Sequence, residues 1–280
     1  MIDRANAKES CVITGAGGGL GRDLAERFAR RGFRVLCADV DLAAARAAAD
    51  RAGPEAVAMA HDVRDPAAHR DVADAARRLG PVRVWINNAG ILPVGAPWEQ
   101  DPEVIERTVH VNLLGVIYGA QAAVEAMRDR GGLLINVASI SAIVPAPGLA
   151  VYGGTKHAVL GFSTGLQGDL RRARIPVDVA VVCPDAMETG MVRAVAHHEA
   201  SDLLYSAGDR MLTTAEVAER VVGLVDRPKL LTVLPAGRGL LARALQPLPA
   251  LQLRLLDLFR PAGRRTRRQR GLAGSERVED

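Results

Sequence analysis

Short apolar runs alternate along the chain with longer segments in which apolar residues recur at helical spacing. The short runs are rich in Val, Ile and Leu, which is typical of strands that are buried on both faces. Seven strands are predicted, near Cys11–Thr14, Arg34–Ala38, Ala56–Ala60, Val82–Ile86, Leu133–Val137, Val177–Val182 and Leu230–Leu234.

The longer segments are rich in Ala, Arg and Leu and predict helices between the strands. A sheet whose strands are joined by helices is parallel and doubly wound, because right-handed crossovers place helices on both faces. We therefore predict a single α/β domain of the Rossmann type over residues 1–236, with a C-terminal extension over residues 237–280. The helices lie near Leu20–Arg31, Leu42–Ala52, Pro66–Leu79, Pro102–Arg130, Val151–Arg172, Met187–Ala207 and Ala215–Val225, the last with a capping box of Thr213 and Glu216.

Ligands of such a sheet bind beyond the carboxyl ends of its strands, and the first strand ends in a glycine-rich loop that opens a helix. Glycines there let the backbone turn tightly and approach a pyrophosphate, whose charge the helix N-terminus favours. Asp39, after the second strand, lies 18 residues beyond Gly21, close to the ~20 expected of an acid that binds the adenosine ribose. The loop residues are Gly15, Gly17, Gly18, Gly19, Leu20 and Gly21.

The residues around Asp39 favour NAD over NADP. A carboxylate repels a 2′-phosphate, and neither Gly18 nor Val40 offers a positive charge to hold one. Arg22 leaves two interpretations open, a phosphate ligand or a solvated residue in the first turn of a helix. Asp62, after the third strand, likewise could accept a hydrogen bond from the adenine amino group or serve as an acid at a helix N-terminus.

The fourth strand is followed by Asn87, Asn88, Ala89 and Gly90. Asparagines after strands commonly form turns. Beside a dinucleotide loop, we interpret this quartet as a floor under the cofactor, with side chains that join neighbouring strand ends.

Tyr152 precedes Lys156 by one helical turn, so that the two side chains share a face. Lysine is rare here, since only Lys8, Lys156 and Lys229 are lysines among 36 Lys and Arg residues. A free phenol has a pKa of about 10 and is a poor base near neutral pH. An ammonium group and a positive nicotinamide ring favour the phenolate, which would suit a general base; a partly exposed tyrosine and a solvated lysine at helical spacing are the alternative for such a pair taken alone.

Over roughly residues 9–235, these motifs resemble the short-chain dehydrogenase/reductase family, in particular its single-domain branch. Several motifs in order and at family-like spacing make the resemblance specific. They are the glycine loop, Asp39, Asp62-Val63, Asn87-Asn88-Ala89-Gly90, Asn112 in Val-Asn-Leu-Leu-Gly, Ser139, and Tyr152-Gly-Gly-Thr-Lys156.

The resemblance implies a role for each matching position. Tyr152 would be the general acid/base, and Ser139 would donate a hydrogen bond to the substrate oxygen. Lys156 would bind the nicotinamide ribose and lower the pKa of Tyr152, and Asn112 would hold a water that relays the proton to solvent. No metal is expected. Cofactor contacts are implied for Asp62, Val63, Asn88, Ala89, Gly90, Tyr152, Lys156, Pro184, Met187 and Thr189.

One position departs from the family pattern. The usual Pro-Gly pair after the sixth strand is Pro184-Asp185 here. Glycine normally lets the backbone pass close to the nicotinamide, so Asp185 either adopts a positive φ or belongs to a reshaped loop. Thr189 is still expected to reach the carboxamide.

Composition excludes several other classes of protein. Six arginines between residues 260 and 270 contribute +6 to the formal net charge of +4, so the rest of the chain sums to −2. Only nine aromatic residues are present in 280, and the two features together argue against nucleic-acid binding. No run of 18 apolar residues would span a membrane, and no signal peptide precedes the first strand. Cys11, Cys37 and Cys183 lack metal or disulfide spacing, so we expect buried thiols and a cytoplasmic location.

The leading hypothesis is an NAD-dependent oxidoreductase that interconverts a lipophilic secondary alcohol and a ketone. An epimerase or dehydratase using the same Tyr and Lys with transient oxidation remains an alternative, and so does a cofactor-binding scaffold without catalysis at a membrane surface. A hydrophobic substrate is expected because the loops near the site are apolar: Ile91-Leu92-Pro93-Val94, Ile143-Val144-Pro145, Leu149 and Met191-Val192.

Small residues recur along the helix that begins at Val151. Each glycine costs a helix roughly 1 kcal/mol relative to alanine, so a flat stripe of them indicates close approach of another helix. Members of the family commonly pair this helix across a subunit two-fold axis, which implies a homodimer or homotetramer; packing within one chain is the alternative. The stripe consists of Gly154, Ala158, Gly161, Gly165 and Gly168.

The extension contains leucines at steps of three and four from Leu240 to Phe259, interrupted by Pro247 and Pro249, and the arginine-rich run follows. An amphipathic segment beside basic charge could lie on an anionic membrane surface. It could equally pack on the body as a lid or mediate assembly. We favour packing on the body, with a disordered basic end.

Overall fold

In the computed structural model, residues 8–206, 210–270 and 272 are described. One sheet of seven parallel strands has the order β3-β2-β1-β4-β5-β6-β7, which confirms the predicted doubly wound α/β fold. The strands are β1 Ser10–Thr14, β2 Arg34–Asp39, β3 Val57–Ala60, β4 Val82–Asn87, β5 Gly132–Val137, β6 Val177–Pro184 and β7 Leu231–Leu234.

Helices cover both faces of this sheet. They are α1 Gly19–Arg30, α2 Leu42–Ala52, α3 Pro66–Leu79, α4 Pro102–Val109, α5 Gly115–Met127, α6 Ala150–Ala173, α7 Gly190–Ala194, α8 Thr214–Val222, α9 Ala236–Leu245 and α10 Pro249–Gln269. Alternate strand residues point to opposite faces, so Cys11 and Ile13 pack under α1, α2 and α8, whereas Val12 and Trp85 pack under α3, α5 and α6.

Asparagine side chains join the strand ends, as the sequence predicted. Asn87 Nδ2 donates to Asn136 Oδ1 at 2.9 Å, across β4 and β5. Asn88 Nδ2 donates to the carbonyl oxygens of Thr14 at 3.1 Å and Gly15 at 3.0 Å. The carboxyl ends of β1, β4 and β5 are thereby held at fixed positions beneath the site.

The segment predicted as one helix over Pro102–Arg130 is interrupted. A π-helical turn, His110–Leu114, separates α4 from α5, and it contains the buried Asn112. Such turns re-aim a side chain at the cost of regular hydrogen bonding and occur frequently at functional sites. Helical periodicity does not reveal an inserted turn, because the apolar pattern continues on either side.

The predicted single helix over Met187–Ala207 is wrong, because the segment is divided into two short helical pieces. Only α7 and a 3₁₀ segment, Glu199–Tyr205, are helical, and Ala207 lies outside the described residues. The backbone before α7 pairs with Leu212 instead, since Glu188 N–H donates to Leu212 O at 3.0 Å and Leu212 N–H to Ala186 O at 3.1 Å. Those tertiary hydrogen bonds replace the ones a helix would make.

The C-terminal extension packs on the body, and its basic part is ordered up to residue 270. The two prolines fall at the break between α9 and α10, as predicted. The expected disordered basic end is wrong, because α10 continues through the arginines. Asp202 is buried and forms ion pairs with Arg267 at 3.1 Å and Arg264 at 3.4 Å, which fasten α10 to the body.

The three cysteines are buried and free, as expected. Within the described residues, no helix is both long and apolar enough to cross a membrane. The described His, Cys, Asp and Glu side chains also form no group of three or more placed to hold a metal ion.

Candidate active site

A cleft of about 580 Å³ opens at the carboxyl ends of the central strands. It is the position at which a doubly wound sheet binds a dinucleotide. The sequence-predicted residues that line it are Gly15, Gly18, Gly19, Leu20, Asp39, Asp62, Val63, Asn88, Ala89, Gly90, Tyr152, Lys156, Met187 and Thr189.

The glycine loop between β1 and α1 is closely packed. A Cβ on Gly21 would lie 2.1 Å from the carbonyl oxygen of Gly15, and Gly15 itself has a φ of +64°. By contrast, a Cβ on Gly18 would meet nothing within 4 Å, so this residue faces open space at the start of α1. The loop thus presents backbone N–H groups at a helix N-terminus with room for a pyrophosphate.

Asp39 ends β2 and closes the other side of the loop. Its carboxylate accepts from Gly17 N–H at 2.9 Å and from Asp41 N–H at 3.0 Å. A carboxylate has about four lone-pair sites, so capacity remains for the two ribose hydroxyls. Arg22 Nη2 donates to Gly17 O at 2.7 Å, which shows that Arg22 braces the loop. The glycine loop and the free acceptor sites of Asp39 fit the adenosine half of a nicotinamide dinucleotide.

Several residues of the cleft were not predicted from the sequence. Arg64 binds both carboxylate oxygens of Asp62, with its Nε 2.9 Å from Oδ2, and lowers the pKa of that carboxyl. His61 is buried at 3% exposure with neither ring nitrogen hydrogen-bonded, and its ring packs against that of His69. Arg107 also lines the cleft. The sequence could have suggested His61 and Arg64, which lie beside Asp62 in the chain. It could not have suggested His69 or Arg107, because folding brings them to this place.

Tyr152 and Lys156 line the cleft, and Tyr152 and Ser139 line a second cavity that adjoins it. Ser139 follows β5, and α6 presents Tyr152 and Lys156 on one face. Lys156 Nζ is buried, donates to Val137 O at 3.0 Å, and lies 5.6 Å from the centroid of the Tyr152 ring. Ser139 Oγ accepts from Ser141 N–H at 3.1 Å and lies 3.3 Å from Ser141 Oγ, which orients the hydroxyl.

Burial dominates the electrostatics of this group. It raises the pKa of Tyr152 to about 12, although a hydrogen bond from Ser139 opposes the rise. It also lowers the pKa of Lys156 to about 8. The sequence predicted a lowered pKa for the phenol. That expectation counted the nearby ammonium and the positive nicotinamide ring of bound cofactor; in the protein alone, loss of water around the phenol dominates and disfavours its charged form.

Asn112 is positioned by the π-helical turn. Its Oδ1 accepts from Ile91 N–H at 2.8 Å, and its Nδ2 donates to Ile91 O at 2.9 Å and lies 3.4 Å from Thr155 Oγ1. Asn112 therefore fixes the backbone that follows the Asn-Asn-Ala-Gly quartet.

A second cavity, of about 290 Å³, adjoins the first, and Tyr152 lines both. Ser139, Leu92, Val144, Leu149 and Val192 contribute to its walls. Ile143 was expected there but is core, at 2% exposure. The other wall comes from the C-terminal extension, for which a lid on the body was one interpretation of the sequence: Leu241, Ala242, Leu245, Gln252, Leu255, Leu256 and Phe259.

Asp185, in the position usually held by glycine, has a partner in that extension. Its carboxylate forms an ion pair with Arg238 of α9, and it accepts from Ala186 N–H at 2.8 Å. Its backbone N–H donates to Leu234 O at 2.8 Å. Its φ is not positive. Asp185 thus belongs to a loop joined to α9, and it and Arg238 are the two charged side chains among the described residues that line the cavity.

The chain matches the family model for short chain dehydrogenases over residues 9–200. It is 38% identical to 1-deoxy-11-beta-hydroxypentalenate dehydrogenase of Streptomyces exfoliatus, over 77% of this chain and 78% of that protein. It is 31% identical to the 3-oxoacyl-[acyl-carrier-protein] reductase of Mus musculus, over 78% of this chain and 91% of that one.

A solved short-chain dehydrogenase/reductase from Burkholderia phymatum, in complex with NAD, superposes with a TM-score of 0.80 at 27% identity, covering 90% of this chain and 97% of that chain. The 3-ketoacyl-(acyl-carrier-protein) reductase of Brucella melitensis, complexed with NADH, has a TM-score of 0.74 at 28% identity, covering 83% and 99%. The chain belongs to the short-chain dehydrogenase/reductase family. It is a nicotinamide-dependent oxidoreductase that acts on hydroxyl groups.

Proposed function

We propose that the protein transfers a hydride between NAD(H) and a lipophilic secondary alcohol or ketone. The observation that supports this most is the place of Tyr152. Its side chain lies where the dinucleotide cleft meets an apolar cavity. A proton acceptor at that junction can serve a carbinol held in the cavity while the cofactor occupies the cleft.

In the direction of oxidation, Tyr152 Oη takes the proton of the substrate hydroxyl, and Ser139 Oγ donates to the substrate oxygen and keeps it in place. NAD held in the cleft would supply the acceptor for the hydride that leaves the carbinol carbon. Lys156, held by Val137 O, places its Nζ beside the phenol and the cleft. Reduction runs the same proton transfer in reverse, with Tyr152 as the acid.

The cavity favours a hydrophobic substrate. Apart from Asp185, Arg238 and a few hydroxyl and amide groups, the described lining is hydrocarbon. Burial of hydrocarbon stabilises a complex by about 25 cal/mol per Å², whereas an unpaired substrate hydroxyl would be costly there. Relatives named for hydroxypentalenate and for 3-oxoacyl groups support this choice.

NAD is preferred over NADP because Asp39 faces the ribose position and Arg22 is bonded to the loop backbone. A panel of secondary alcohols, followed at the NADH absorbance with NAD and with NADP, tests the proposal. We expect a stoichiometric rise in NADH with a hydrophobic member of the panel, faster with NAD. Product formation without net NADH would instead indicate an epimerase or dehydratase.

We also propose that α6 mediates a homodimer or homotetramer. A Cβ on Gly154, Gly161, Gly165 or Gly168 would meet nothing within 4 Å in this chain, so the stripe packs on no other described part of the protomer. Sedimentation of Gly161→Arg should show smaller particles than wild type. An unchanged particle size would contradict the assembly.

A further inference from the structure

The apolar cavity opens through a hydrophobic rim. Three residues that line it are also exposed large hydrophobics: Met191 at 42%, Leu241 at 61% and Phe259 at 52%. Two of the three belong to the C-terminal helices α9 and α10. A rim of this kind is unfavourable toward water and indicates a nonpolar or amphipathic surrounding.

One exposed strip of α10 continues this rim. Leu251, Arg254, Leu258 and Arg265 follow each other at steps of three, four and seven residues, which places them along one side of the helix. Leu251 is 41% exposed and Leu258 is 74% exposed. Since Leu255 and Phe259 lie beside this strip and line the cavity, hydrocarbon extends from the outer surface of α10 into the pocket.

The same two helices are strongly basic. Residues 236–270 contain nine arginines and one acid, Asp257. Some of these arginines pair with acids of the body, for example Arg267 with Asp202 and Arg238 with Asp185. Across the described part of the chain no ion pair is formed by Arg243, Arg254, Arg260 or Arg265, so their charge is available to an external anion.

We propose that the outer face of α9 and α10 docks on an anionic phospholipid bilayer, with the cavity mouth against the lipid. Exposed leucines would enter the interface, and arginine side chains would extend their guanidinium groups to lipid phosphates. Self-association of the protein through this face is less favourable, because it would bring the arginines of two copies together. Given the proposed function, a hydrophobic substrate would pass from the bilayer directly into the cavity.

Flotation of the full-length protein tests docking without any use of activity. The vesicles are pure phosphatidylcholine or an equal mixture with phosphatidylglycerol. We expect binding to the mixture only, reduced at least ~10-fold in Arg254→Glu/Arg265→Glu, since each arginine near an anionic surface contributes about 1 kcal/mol. The matched control is Arg46→Glu/Arg78→Glu, which reverses two exposed arginines of α2 and α3 and should bind as wild type does.

A tryptophan reporter locates the contact. Leu258→Trp in a Trp98→Phe background should show a blue shift on mixed vesicles and quenching by brominated phospholipid. Val57→Trp in the same background should show neither, because Val57 lies on β3, at the opposite edge of the sheet from β7.

Absence of wild-type protein from the mixed vesicles would overturn the proposal, as would equal flotation of both double variants. A change in sedimentation of Arg254→Glu/Arg265→Glu without lipid, together with no vesicle binding by wild type, would assign the face to a second copy instead. These outcomes are independent of hydride transfer. A protein that binds vesicles but oxidises no alcohol would retain the docking surface and lose only the proposed function.

Discussion

The cleft at the strand ends and the apolar cavity meet at Tyr152 but are enclosed by different kinds of structure. The cleft is formed by strand ends, a close-packed glycine loop and side chains bonded to backbone, such as Asp39 to Gly17 and Asn88 to Gly15. The cavity is closed on one side by α9 and α10, whose contact with the core rests on apolar packing and ion pairs. Under the proposed function, cofactor binding would depend on backbone geometry, whereas substrate selection would depend on the side chains of α9 and α10 that form one wall of the cavity.

The largest expected effect on activity comes from changing Tyr152, which lines both the cleft and the apolar cavity. Tyr152→Phe should lower kcat by about 10²–10⁴-fold, the contribution typical of a positioned general acid or base. NADH affinity should stay close to that of wild type, because the ring is retained between the two cavities. Steady-state kinetics and fluorescence titration with NADH measure the two quantities.

Tyr118→Phe is the matched control, since Tyr118 lies on α5 with its ring against His69, and its activity should be unchanged. Full activity in Tyr152→Phe would remove the tyrosine from the mechanism and favour a scaffold without catalysis.

The next effect concerns the cleft. Gly21→Ala places a methyl group 2.1 Å from Gly15 O and 2.8 Å from Ala16 Cα. Both are backbone atoms, which cannot move away as readily as the end of a flexible side chain could. We expect NADH affinity to fall by an order of magnitude or more, measured by titration calorimetry. Gly223→Ala, where a Cβ meets nothing within 4 Å, should bind NADH normally. Equal affinities would show that the loop adjusts more freely than its packing indicates.

The pH dependence of the rate of alcohol oxidation distinguishes the roles of Ser139 and Ser141 near Tyr152. Because the pKa of Tyr152 is raised to about 12, the phenol keeps its proton over most of the alkaline range, so alcohol oxidation should speed up as pH rises. Ser139→Ala removes the hydrogen bond that lowers this pKa, so the pH range over which the rate increases should move to higher pH. Ser141→Ala should leave that range unchanged. If neither variant moves the range, the increase in rate reports the ionisation of a group other than Tyr152.

The smallest expected effect concerns α9, which together with α10 forms one wall of the apolar cavity. Arg238→Gln leaves the Asp185 carboxylate without its ion pair and should raise KM for the alcohol more than KM for NAD. The rise should be less than about tenfold, because Arg238 is 39% exposed and solvent screens the pair.

Asp185→Gly/Arg238→Gln restores the residue usual in the family and leaves no unpaired carboxylate, so its KM should lie nearer to that of wild type. A double variant worse than Arg238→Gln would show that Asp185 has a role apart from the pair.

Much of the fold was predictable because apolar periodicity follows directly from burial. All seven strands and most helices fall where the pattern put them. The failures have separate causes. Leu212 pairs with the segment before α7, so tertiary hydrogen bonds replace helical ones there, whereas a π-helical turn at Asn112 interrupts a continuous periodic run.

The sequence by itself determined the glycine loop, Asp39 and the one-turn spacing of Tyr152 and Lys156, because these are local relationships along a strand end or a helix face. Only the tertiary structure decided what closes the apolar cavity, that Asp185 pairs with Arg238, and that Asp202 holds the basic end of α10. These ion pairs join residues more than 50 positions apart. Likewise, the direction of the pKa shift of Tyr152 depends on how much water folding removes from around the phenol, which no spacing in the sequence specifies.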